Sequence, residues 1–228
     1  MATREMTGGE VTSGPEVNAQ APGNPTKTYH LVNQHTFTSK HFEIQHNGQV
    51  ILWANTNKTL LHKPIINLAA DAENGPIIAA CKLESFSRSL RFFIGNPDCT
   101  DKATWSICEC AGFVEKHYSF RSSDGRLLQW KRTHNKDLGG KTFGGRTFKL
   151  VDEGGNVLAV YVHTQSVFGK RHQIARFDFY VELGQELELV SLVTMLGIQV
   201  SKPTEDMSRS SVAGAEARGR LQQDLRSP

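Results

Sequence analysis

The stretch Gln185–Gln199, QELELVSLVTMLGIQ, decides the fold. Its apolar residues recur at helical spacing. Leu187, Leu189, Val190, Leu192, Val193, Met195, Leu196 and Ile198 together surround nearly the whole circumference of one helix. A helix with one apolar stripe lies on a core, but a helix apolar on every side must be buried on every side. Glu186 and Glu188 fall in its first turn, where the macrodipole favours negative charge, and Pro203 stops it soon after. The apolar run from Leu187 to Val200 is about 14 residues long and broken by Glu188, Ser191, Thr194 and Gln199. That is shorter than the roughly 20 needed to span a bilayer.

Upstream of this helix the period changes to two. Candidate strands are Tyr29–Asn33, His41–His46, Gln49–Asn55, Lys63–Ala69, Pro76–Leu83 and Leu90–Gly95. They continue with Thr104–Glu109, His117–Ser122, Arg126–Arg132, Arg146–Asp152, Asn156–His163 and Gln173–Glu182. Asn47-Gly48 and Asp124-Gly125 read as type I′ hairpin turns, and Gly154-Gly155-Asn156 as a third reversal. A sandwich would cover only one face of the helix. A closed barrel threaded by the helix covers all of it and leaves no open sheet edge. The expected class is therefore mainly β: a closed antiparallel barrel of about twelve strands enclosing one apolar C-terminal α-helix.

The chain has 228 residues, 38% of them hydrophobic, which suffices for one domain with a sizeable core. Residues 1–27 and 202–228 hold few large apolar side chains. Neither offsets its ordering entropy by burial, so both read as disordered tails around a domain at 28–201. No apolar run follows Met1, so no secretory signal is expected, and a cytoplasmic protein is. The sequon at Asn57 would then stay unmodified. Cys108 and Cys110 share one strand face, which suits packing better than a disulfide framework.

Charge is unevenly spread. From residue 116 to 176 there are twelve Lys and Arg against four Asp and Glu, whereas residues 28–115 carry seven against eight. Such asymmetry favours an anionic partner: a membrane surface, a nucleic acid or an acidic protein.

The late antiparallel strands GRTFKLVDEGGNVLAVYVHT, the aromatic segment GKRHQIARFDFYVE and the terminal ELELVSLVTMLGI resemble the tubby C-terminal-like superfamily. That superfamily includes tubby proteins, phospholipid scramblases and plant LURP-one-related proteins, and the chain most resembles small fungal proteins with this domain. The resemblance covers about residues 28–200 and implies a twelve-stranded barrel around a central helix. It also implies binding of phosphoinositides through basic side chains on the barrel wall, as tubby proteins do. The tubby C-terminal signature is missing, as are the Cys-rich run and anchoring tail of scramblases. Lipid transport is therefore not implied, and no binding residue is carried over by a motif match.

The site candidates come from charge and alternation instead. They are Arg121, Arg126, Lys131, Arg132, Lys141, Arg146, Lys170, Arg171 and Arg176. Arg121 and Arg176 should face outward, and of Lys131 and Arg132 one must. Arginine forks and lysine point charges together suit phosphate. Asp178 and Glu182 share the face of Arg176 and are able to neutralise it.

Other constellations read as structural. Gly140-Lys141-Thr142 lacks the earlier glycine of a phosphate loop, since Asn135 stands there, and remains an open glycine-rich connection. The nine histidines, His35, His41 and His46 among them, have no metal-ligand spacing, and Cys108-Glu109-Cys110 has no second pair. No G-x-S-x-G turn is present. Trp53, Trp105 and Trp130 fall in strands. Trp130 is expected in the core, though its basic neighbours also suit a base or a membrane interface. The expectation is a non-catalytic domain without cofactor or metal that binds anionic phospholipid headgroups at a cytoplasmic membrane surface. The main rival is a protein-interaction scaffold with no small ligand. A nucleic-acid binder and an enzyme are further rivals.

Overall fold

A computed structural model describes residues 23–33, 41–56, 64–84, 87–100, 103–112, 117–140, 147–164 and 172–201. Twelve strands form: β1 Lys27–Asn33, β2 His41–His46, β3 Gln49–Thr56, β4 Ile66–Ala69, β5 Ile77–Leu83 and β6 Leu90–Ile94. After them come β7 Ser106–Ala111, β8 His117–Arg121, β9 Leu127–Arg132, β10 Phe148–Val151, β11 Val157–His163 and β12 His172–Phe179. Each pairs antiparallel with its sequence neighbours, and β1 pairs with β12 to close the barrel. The helix expected from the C-terminal apolar run, α1, occupies residues 185–201. The tails fall outside the described residues except at 23–27, where Lys27 is the first residue of β1 rather than part of a tail.

Alternation sorts the side chains. Tyr118, Phe120, Leu128, Trp130, Phe148, Leu150, Phe177 and Phe179 point inward and are buried against α1. From Ser191 to Ile198 every helix residue is buried, as an all-round apolar helix requires. Two polar residues in that stretch are satisfied within the core. Ser191 donates its hydroxyl to the Leu187 carbonyl, and Thr194 donates to Val190 while accepting from the Trp130 indole at 3.2 Å. Trp130 is thus a core residue. Cys108 is fully buried, and all four cysteines are free thiols. Small inward residues on β5, Ala79 and Cys81, let α1 approach that wall, where a Cβ on Gly197 would stand 2.5 Å from the Cys81 sulfur.

Asn47 and Gly48 both have positive φ, the type I′ turn that the sequence indicates. Asp124-Gly125 differs from expectation. Only Gly125 has positive φ, the Gly125 amide bonds the Ser122 carbonyl, and the Ser122 amide bonds the Arg126 carbonyl. This is a type I turn closed by a left-handed glycine bulge, and residues 152–156 repeat it with Gly155. Asp124 and Asp152 explain the preference, because each accepts the amide two or four residues on with its carboxylate.

Antiparallel closure gives the barrel two rims. The turns 47–48, 122–126 and 152–156 lie on one, where α1 also begins, here named the turn rim. β1, β3, β9 and β11 end on the other, towards which α1 runs. A second, smaller apolar cluster lies outside the barrel. The 3-10 turn Lys136–Leu138 folds back so that Leu138 is buried against Val151, Val157, Val160 and Val162 on the outer face of β10 and β11. Residues 138–140, read from sequence as part of an open connection, are therefore packed. Gly139 sits against Val162, and the Gly140 amide bonds the Asn135 carbonyl.

Candidate functional site

The basic candidates divide between the two rims. Arg121 ends β8 and Arg126 precedes β9, both at the turn rim. Arg121 donates to the Gly125 carbonyl at 3.0 Å, and Arg126 pairs with Asp124 at 2.7 Å. The Ser122 hydroxyl first, and then Arg126, hold the Asp124 carboxyl below its usual range. Arg132 ends β9 at the opposite rim, exposed, with Lys131 beside it on the outer wall. Arg176 faces outward on β12 and pairs with the buried Asp178 at 2.7 Å, one of the two acids named for its face, whereas Glu182 makes no bond to it and lines a cleft at the turn rim. Lys141, Arg146, Lys170 and Arg171 lie outside the described residues.

Strand register brings together a different set. His117 on β8 stands directly opposite Lys131 on β9, which stands directly opposite Lys149 on β10. The three outward side chains form one row across three strands, and among the described residues no carboxylate pairs with either lysine. Their next neighbours on that face are Ser119, Gln129 and Val151. Alternation in FKLV indicates that Lys149 faces outward. Its alignment with Lys131 was not readable, because a fifteen-residue connection fixes no register.

A second feature lies at the turn rim, where α1 enters the barrel. A cleft of about 800 Å³ opens between the starts of β1 and β3, the start of β5, and the segment from Val181 to Leu192. Its apolar lining is Ile51, Leu52, Ile78, Val181, Leu189 and Leu192, and its polar groups include Lys27, Tyr29, His46, Glu182, Gln185 and Glu188. One Glu188 oxygen accepts from the Tyr29 hydroxyl at 2.7 Å and the Lys27 ammonium at 2.8 Å. The ammonium also lies 5.1 Å from the Tyr29 ring centre. Burial, reinforced by the bond to Glu188, pushes the Tyr29 hydroxyl up to about 12. Burial also works against the charge on Lys27, but the contacts with Glu188 and Tyr29 outweigh it and raise its pKa. His46 packs edge-on against Tyr29 and bonds the Thr28 carbonyl through Nδ1 at 2.9 Å. None of this was legible in sequence, since Lys27 and Glu188 lie 161 positions apart.

No helix among the described residues is long and apolar enough to cross a membrane, and no three of their His, Cys, Asp and Glu side chains converge as a metal site. The class that fold and surface define is a closed antiparallel barrel plugged by its own C-terminal helix. No protein-family model, curated protein or solved structure matches the chain.

Proposed function

We propose that this barrel is a non-catalytic binding domain of the tubby-like kind that recognises phosphoinositide headgroups at a cytoplasmic membrane surface. The observation that supports it is the His117, Lys131 and Lys149 row. Like charges directly opposite one another on neighbouring strands are destabilising. A bound phosphate offsets that repulsion, and a lysine pair with a histidine beside it supplies several N–H donors to a multiply charged headgroup. Arg132, exposed at the adjacent rim, extends the positive surface. Arg121 and Arg126 belong to the other rim and take no part.

Co-sedimentation tests this with phosphatidylcholine vesicles, plain or doped with phosphatidylserine or with a phosphatidylinositol bisphosphate. The wild-type chain should pellet most with the last. Each lysine near an anionic surface is worth about 1 kcal/mol, so Lys131→Gln with Lys149→Gln should weaken binding about 30-fold. Arg121→Gln should leave it unchanged. Equal pelleting with plain and doped vesicles, or undiminished binding by the double variant, would remove the proposal.

A further inference from the structure

We infer that the cleft at the turn rim is a separate binding site for a small amphiphile with a medium-length hydrocarbon chain and one ammonium head. At about 800 Å³ it falls within the range of roughly 300–1,000 Å³ typical of small-molecule sites, and the mouth of a barrel is a common place for one. Its apolar side runs from Ile78 and Leu52 on the strands to Leu189 and Leu192 on the helix. Ile51 and Val181 at the edge remain 37% and 39% exposed, so the cleft leaves apolar surface in contact with water that a hydrocarbon chain would cover.

The polar side selects the head. The lining carries two carboxylates, Glu182 and Glu188, against a single ammonium, Lys27. Lys27 and Tyr29 both donate to one oxygen of Glu188, and the other oxygen accepts no bond from any described residue. What the wall offers is an acceptor and a surplus negative charge. A ligand ammonium satisfies both, whereas a carboxylate would face Glu188 with the nearby lysine already engaged. The cleft involves β1, β3, β5 and α1, while the basic row involves β8 to β10 near the opposite rim, so the two sites stand or fall separately.

Calorimetric titration of the full chain with decylamine, decanol and decanoate, each below its aggregation threshold, tests the inference. Decylamine should bind one to one, decanol more weakly, and decanoate not at all. Ile78→Trp, which fills the apolar side without touching the polar triad, should abolish decylamine binding while the melting transition stays cooperative. Glu188→Gln keeps an acceptor but loses the charge. It should weaken decylamine at least about tenfold and leave decanol unchanged. Lys131→Gln with Lys149→Gln should bind decylamine like the wild type. Decanoate binding as well as decylamine, no binding by any of the three, or indifference to Ile78→Trp would each overturn it.

Discussion

Gly197 is where a single missing methyl group governs the packing of the barrel. In the interior of a helix, glycine is less favourable than alanine by about 1 kcal/mol, so propensity alone would favour replacing it. Here the added Cβ would stand 2.5 Å from the Cys81 sulfur and 3.1 Å from a Leu90 methyl, both fully buried on neighbouring strands. Overpacking of that kind costs about 1–3 kcal/mol and outweighs the gain. Gly197→Ala should therefore lower the urea midpoint, whereas in a Cys81→Ala background the same change should raise it. A double-mutant cycle reads the coupling directly, and additive effects would show that the helix has room to shift. The sequence alone assigns Gly197 no role. Its role follows from a strand 116 positions away, which no local pattern encodes.

Strands and helix were legible because each has a period of its own. All twelve segments of alternation form strands close to the expected limits, and the run Gln185–Gln199 forms the helix, because burial on one face or on all faces leaves a direct imprint on the order of side chains. Register and long connections leave none. The Lys131–Lys149 pairing and the fold-back of Leu138 onto β11 were therefore hidden, and the turn at Asp124 was misread because glycine serves both turn types. The fold-back carries its own prediction. Leu138 is the main apolar anchor of the 133–140 segment on the outer wall, and burying one leucine contributes about 1.5–3 kcal/mol. Leu138→Ala should speed hydrogen exchange at the Gly139 and Gly140 amides about 10- to 100-fold. Amides of Ala159 and Phe177 inside the barrel should keep their protection. If all four change together, the outer cluster is part of the global folding unit and not a separately opening one.

At the scale of the whole molecule, the barrel closes where its first strand meets its last, and the same first strand is tied to the helix inside. Lys27 and Tyr29 of β1 converge on Glu188 of α1, so closure and plugging share one cluster of ionisable groups. Burial and the bond to Glu188 raise Tyr29 to about 12 in the folded chain, against about 10 when unfolded. Between those values the unfolded state releases the proton first, and ionisation favours unfolding. The contribution of Tyr29 is thus whole below pH 10 and drains away as the pH climbs to 12. Lys27, also raised, adds in the same direction, its contribution present below its ordinary value and lost above it. Urea midpoints measured at pH 9, 10 and 11 should fall steeply for the wild type. Tyr29→Phe should begin lower at pH 9, by about 1 kcal/mol for the lost hydrogen bond, and then fall less steeply. Tyr180, likewise raised by burial, titrates in both proteins and cancels from the comparison. Parallel curves for the two proteins would mean that the β1–α1 contact is not what holds the closed barrel together at high pH.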